Sequence, residues 1–177
     1  SAVRKKDVAR KLAEKYLIQM GLDQTFFKRS PFELSGGQKS RVAIAGILAM
    51  EPNILVFDEP TAGLDPIGAK AMLDIIESLR QQGKTIIVIT HDMNHVLDIA
   101  DKVILLGEKK ILAFDEPYKI FYSDVINKTS IIKPRVIQMI DQLIKINPKF
   151  SKLIDFKPRN VTELALRINQ LLGRKYE

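Results

Sequence analysis

The 177 residues are 46% hydrophobic, carry a formal charge of +7 and contain no cysteine, which allows one buried core or slightly more and excludes disulfide frameworks and thiolate metal sites. The longest apolar run, Val42–Met50, falls far short of the ~18–20 residues that cross a bilayer, and no signal-peptide pattern is visible, so a soluble chain is expected. The basic surplus sits at the ends, with eight Lys/Arg against four Asp/Glu over 1–34, ten against four over 133–177 and ten against thirteen between; lacking an arginine-rich run interleaved with aromatics, it reads as a solvated, membrane-proximal surface rather than a nucleic-acid interface.

Val8, Leu12, Tyr16, Leu17 and Met20 recur at helical spacing, and Gly21 is placed to end that helix. A loop through Pro31 leads into "LSGGQKSRVAIAGILAM", where two adjacent glycines enter an amphipathic helix that Glu51-Pro52-Asn53 breaks. "ILVFDEP" follows, an uninterrupted apolar run that predicts a strand buried on both faces. Asp65-Pro66 has the form of an N-cap with proline at the first helical position, and Gly83 stops that helix near Gln82. "TIIVIT" predicts a second buried strand ending at His91-Asp92, then a short helix over Met93–Ala100 and two strands, "KVILL" and "KILAF", around a turn at Gly107. Beyond Pro117 two amphipathic helices are expected, Pro134–Ile146 and Thr162–Leu172, the second with Thr162-Glu163 as its N-cap. The alternation of strands and helices implies an α/β fold with a mostly parallel sheet.

Three sets of residues can carry chemistry. A glycine turn at a helix N-terminus offers free N–H groups and the positive end of the helix dipole to an anion. Asp58 and Glu59 stand at the C-terminal end of a strand, where open α/β sheets place ligands; one carboxylate there can hold Mg²⁺ and the next can act as a general base, or the pair can be a helix-capping Asp beside a solvated Glu. His91 ends the next strand and can donate to a phosphoryl oxygen or be merely structural, whereas His95 one turn on reads as surface. Gly83-Lys84-Thr85 resembles the end of a phosphate-binding loop, but Ser78 stands where the first glycine belongs, and the helix–strand order is reversed.

In this order "LSGGQ", "ILVFDEP", "TAGLDP" and "VITHD" closely resemble the signature motif, Walker B strand, D-loop and switch histidine of the ATP-binding cassette (ABC) ATPases. The longer run "SPFELSGGQKSRVAIAGILAMEPNILVFDEPTAGLDP" is most similar to the ATPases of energy-coupling-factor importers for vitamins and for cobalt or nickel, as is the tail with its "VTELALRI" helix. One departure is Ser40, where an arginine is common in the family. The resemblance implies a partial P-loop NTPase core with a small C-terminal helical extension: residues 1–50 part of the helical signature subdomain, 51–125 the C-terminal half of the ATPase core, and 126–177 the extension.

The resemblance also implies the site. Ser35, Gly36, Gly37 and Gln38 would read the γ-phosphate of ATP held by a second ATPase subunit, like or unlike this one, and Asp65 would approach across that interface. Asp58 would serve Mg²⁺, Glu59 would polarise the attacking water, and His91 would contact the γ-phosphate of the subunit's own ATP. Implied partners are a transmembrane coupling protein and a substrate-binding membrane component, with no nucleic acid, at the cytoplasmic face of a bacterial membrane. The family's phosphate-loop lysine lies upstream of the signature motif and is not among the residues here, so the chain is expected to be the C-terminal portion of a cassette and inactive alone. Its second strand, lacking the phosphate-loop strand as a neighbour, is expected to close against Lys102–Leu106 or to self-associate. The apolar stripes of the tail (Val136, Ile137, Ile140, Leu143; Leu164, Ile168, Leu171) are expected to pack on the cassette or on a second ATPase. The competing readings are a soluble ABC protein of DNA repair or translation, and a non-catalytic interaction subunit.

Overall fold

A computed structural model describes residues 2–173, with side chains from residue 7 onward. The chain divides into two compact units, Ser1–Ile89 and Thr90–Glu177.

In the first unit, α1 (Ala2–Gln19) is closed by Gly21, whose φ of +70° lets its N–H reach Ile18 O at 2.9 Å while the Leu22 N–H reaches Leu17 O at 2.9 Å. Helix α2 (Gly36–Leu48) packs along it through Tyr16 and Met20 against Ala45 and Leu48. Strand β1 (Ile54–Asp58), helix α3 (Pro66–Gln81) and strand β2 (Thr85–Ile89) form a strand–helix–strand crossover, and β1 and β2 pair in parallel from Ile54↔Thr85 to Asp58↔Ile89. Side chains alternate across this pair. Leu55, Phe57 and Ile86 join the core with Leu48 and Leu79.

The other face overturns the expectation of strands buried on both sides: Ile54 and Val56 are each 61% exposed, Ile87 47% and Ile89 52%. An apolar run reports that both faces are greasy, and the described elements of this unit cover only one. Among the described residues β2 pairs with β1, and the closure expected against Lys102–Leu106 is not among the strand pairings.

In the second unit, α4 (Met93–Ile99) leads to an antiparallel hairpin of β3 (Val103–Gly107) and β4 (Lys110–Asp115), bulged at Leu105/Leu106. Its turn is Glu108-Lys109, both left-handed at φ +50° and +60°, the twist that suits a two-residue hairpin loop. Helices α5 (Pro117–Phe121), α6 (Asp124–Asn127), α7 (Arg135–Ile146), α8 (Lys152–Phe156) and α9 (Val161–Leu172) follow. Both tail stripes turn into one core, where Ile137, Ile140, Leu153 and Leu164 meet Leu97, Leu105 and Phe121. The tail therefore packs on the α4–hairpin segment. The cap of α9 is Asn160, not Thr162: its side chain accepts from Glu163 N at 2.9 Å.

Candidate functional site

The first turn of α2 is built by a reciprocal cap. Ser35 Oγ accepts from Gln38 N at 3.3 Å, and Gln38 Oε1 accepts from Ser35 N at 2.9 Å. The cap uses one lone pair on each side-chain oxygen, and the donors it leaves over are the Ser35 hydroxyl, the Gln38 amide NH₂ and the Gly36 and Gly37 N–H groups of the helix's first turn. A Cβ built on Gly36 or Gly37 meets nothing within 4 Å, and neither residue has a positive φ. The fold itself has no steric need for these glycines, although each costs the helix ~0.5–1 kcal/mol relative to alanine. Bare backbone with donors left over suits a close-approaching anion.

At the end of β1, Asp58 is exposed and Glu59 half-buried. Glu59 sits at φ +47°, a region that costs an L-residue ~1–2 kcal/mol, and its N–H donates to Ile89 O at 2.9 Å. That bond extends the β1–β2 ladder by one step and pins the carboxylate-bearing residue beyond its end. Strain concentrated on a carboxylate at a sheet terminus marks a candidate functional position. Among the described residues no group of three acidic or imidazole side chains could cage a metal ion. A lone carboxylate such as Asp58 fits Mg²⁺ held largely by water and substrate phosphates rather than by protein.

Asp65 caps α3, its Oδ1 accepting from Gly68 N at 2.7 Å, with Pro66 at the first helical position as the sequence predicts. A Cβ at position 68 would lie 2.8 Å from that oxygen, so here the glycine serves the cap. The rejected Gly83-Lys84-Thr85 stretch lies between α3 and β2, with Gly83 at φ +82° ending the helix.

His91 falls in the second unit, exposed and immediately before the cap of α4. Asp92 Oδ1 accepts from Asn94 N at 2.9 Å and His95 N at 3.4 Å, and Asp92 N donates to Thr90 Oγ1 at 3.1 Å. Partial burial raises the Asp92 pKa, but the Asn94 N–H, the charge of His95 and further hydrogen bonds outweigh it and hold the carboxyl below its ordinary 3.8. His95 is not a plain surface residue: its side chain is 24% exposed, with Nδ1 3.6 Å from Asp92 Oδ2.

Thus the first unit holds Ser35, Gly36, Gly37, Gln38, Asp58, Glu59 and Asp65, and the second holds His91. Sequence reasoning missed the supports around His91: Thr90 and Asp92, together with Asn94 and Asp98 farther along α4. The Asp92-x-Asn94-His95 pattern, a cap residue at a helix start, was the available signal.

The model of the family described as ABC transporter matches residues 3–62. The chain is 52% identical over 169 residues to "Energy-coupling factor transporter ATP-binding protein EcfA2" of Mycoplasma pneumoniae, covering 95% of this chain and 56% of that protein. It is 53% identical over 173 residues to the protein of the same name in Mycoplasmoides gallisepticum, covering 97% and 54%. The chain therefore spans about half the length of the curated relatives it matches. Among solved structures, cbiO1 from Clostridium perfringens, part of the ABC transporter complex cbiONQ, is 32% identical with a TM-score of 0.59, covering 82% of this chain and 53% of that one. The ADP conformation of MJ1267, an ATP-binding cassette of an ABC transporter, is 27% identical with a TM-score of 0.61, covering 68% and 48%. This likeness, through the glycine turn and the carboxylate strand alike, is to the ATP-binding cassettes of ABC transporters.

Proposed function

We propose that the complete protein is the ATP-hydrolysing subunit of an energy-coupling-factor type importer, and that this chain supplies the part of the site that completes a neighbour's. The observation that carries the reading is the start of α2, where the cap leaves donors over beside glycines that the fold does not sterically require. A γ-phosphate approaching that turn meets the Ser35 hydroxyl, the Gly36 and Gly37 N–H groups and the Gln38 amide, with the helix dipole behind them. Asp58 holds Mg²⁺, which neutralises phosphate charge when bound, and Asp65 lies toward the subunit interface. Glu59 orients and deprotonates the attacking water from a backbone that cannot swing without losing its bond to Ile89 O. His91 donates to the γ-phosphate as charge develops there.

Residues 1–50, 51–125 and 126–177 are read as signature subdomain, half of the ATPase core and helical extension. The partners are a second ATPase subunit, a transmembrane coupling protein and a membrane component that selects the vitamin or metal ion. No described helix is long and apolar enough to cross a membrane, and the site of action is the cytoplasmic face, through those partners.

The test is complementation within a dimer. In the complete protein, Ser35→Arg puts a bulky cation on the glycine turn and should cut turnover by ~10²-fold or more, the scale of a lost transition-state donor. With Ser35→Arg in one subunit and a broken phosphate loop in the other, both lesions fall on one composite site and leave the second intact. Activity should then exceed that of a dimer with both lesions in one subunit. Equal activities at equal dimer content would remove the role in trans.

A further inference from the structure

Within the second unit, α4 is stitched to the C-terminal extension along its length. At its start, Asn94 Oδ1 accepts from Arg135 N, the first residue of α7, at 2.9 Å. In its middle, Leu97 is 1% exposed in the core shared with Ile137, Ile140 and Leu164. At its end, Arg159 Nη1 donates to Asp98 O and Asn160 Nδ2 donates to Asp98 Oδ1, both at 3.4 Å, and Arg159 Nη2 lies 3.6 Å from Asp101 Oδ1. The extension is tied down on its own side, since Tyr118 Oη donates to Pro158 O at 2.7 Å and Lys157 Nζ lies 2.8 Å from Glu116 Oε2.

We propose that the C-terminal extension sets the position of His91, with helix α4 as the lever and Asn94, Asp98, Arg159 and Asn160 as positioning residues. The physical link is short. His91 lies between Thr90, whose Oγ1 accepts from Asp92 N, and the Asp92 cap on α4. A rigid seven-residue helix that rotates or slides by a fraction of an ångström carries its cap, and the residue before the cap, with it. Three attachments spaced along α4, at Asn94, Leu97 and Asp98, resist that movement. The inference rests on the proposed role of His91, and adds that whatever binds or displaces the extension changes the histidine's aim.

The discriminating substitution is Asn160→Asp. It keeps the side-chain oxygen that caps α9 toward Glu163 N, removes the amide donor to Asp98, and sets two carboxylates against each other. Asp98→Leu together with Arg159→Met is a second route: at similar size it removes the oxygen that accepts from the Asn160 amide and the guanidinium that reaches Asp98 O and Asp101. In the 177-residue chain, the readouts are the His91 imidazole NMR signal, assigned with a His95→Asn control, and amide exchange over 91–99. Asn160→Asp should move the His91 signal and speed exchange in α4 by roughly 10-fold, while α9 and the first unit exchange as before. In the complete protein the same change should lower kcat by roughly 3–10-fold with KM for ATP held within about two-fold, the range expected of a coupling residue away from the ligand. Should Asn160→Asp loosen the whole second unit, the Asp98→Leu/Arg159→Met pair decides by the same readouts. An unmoved His91 signal with α4 protection retained overturns the proposal, as does an unchanged kcat where His91→Ala abolishes turnover. If wild-type complete protein hydrolyses no ATP, the ATPase reading fails, and the NMR arm alone decides the positioning.

Discussion

Replacing Gly36 and Gly37 with alanine should make the chain more stable and the enzyme worse. Both glycines lie in the first turn of α2 without a positive φ, and a Cβ at either meets nothing within 4 Å. No native contact opposes the methyl groups, so the effect comes from the unfolded chain, which loses conformational freedom worth ~0.4–1 kcal/mol per Gly→Ala change. The pair together should contribute ~1–2 kcal/mol. In a unit of 89 residues, each kcal/mol shifts the midpoint by about 4–8 °C, so the double variant should melt roughly 4–16 °C higher in the first transition. Thermal and urea unfolding of the 177-residue chain measure this directly, with an unchanged m-value showing that stability changed and not the surface exposed on unfolding. In the complete protein the same methyl groups occupy the space meant for phosphate, and ATP turnover should fall by ~10²-fold. A double variant less stable than wild type would show that the glycines serve the fold, and would remove the argument that bare backbone at α2 exists for a ligand.

Gln38→Glu should keep the reciprocal cap with Ser35 and gain ~0.3–1 kcal/mol from a negative charge at the helix start, yet abolish turnover by setting that charge against a phosphate; unimpaired ATPase would contradict it. At position 59 the alanine and glycine variants differ only in their tolerance of φ +47°, so Glu59→Gly should be more stable than Glu59→Ala by ~1 kcal/mol in urea melts, whereas at exposed Lys70 inside α3 the order should reverse. Ile137→Ala empties a side chain that is 0% exposed in the second core and should cost ~2–5 kcal/mol, seen as loss of the second transition with the first intact. Because the Asp92 carboxyl is held below its ordinary 3.8, its cap on α4 is fully present above that value and is lost as pH falls through the lowered one. Amide exchange over 93–99, corrected for intrinsic pH dependence, should therefore rise on acidification below pH ~4, and Asp92→Asn should flatten that rise.

Local punctuation was the legible part of this chain. Gly21 and Gly83 end α1 and α3 with positive φ, Asp65-Pro66 opens α3, and Ser35-x-x-Gln38 closes its cap, because each depends on a few neighbouring atoms. The cap of α9 was ambiguous for the same reason: Asn160 and Thr162 are both cap residues, and only the bond from Glu163 N to Asn160 Oδ1 chooses between them. Burial of β1 and β2 was misread because apolar composition shows what a strand could bury, whereas exposure at Ile54, Val56, Ile87 and Ile89 depends on what lies over that face. The site followed the same divide. Ser35–Gln38 and Asp58-Glu59 stand out as short strings; the left-handed backbone of Glu59 does not, since a residue before proline is expected in the extended region. The ties from Arg159 and Asn160 to Asp98 span 61 and 62 residues, and no local pattern announces them.

The open face of the parallel pair also sets the colloidal behaviour of the chain. Four β-branched side chains are 47–61% exposed on a sheet whose outer strand edges have no ladder partner among the described residues, and the molecule that carries them bears a formal charge of +7. Like charge holds such particles apart only over the reach of their field, about 30 Å at 0.01 M salt but ~8 Å at 0.15 M. Added salt thus removes the repulsion while leaving the apolar attraction and the free strand edges untouched. Dilute buffer should keep this chain dispersed, and physiological ionic strength should bring its bare sheets within reach of one another.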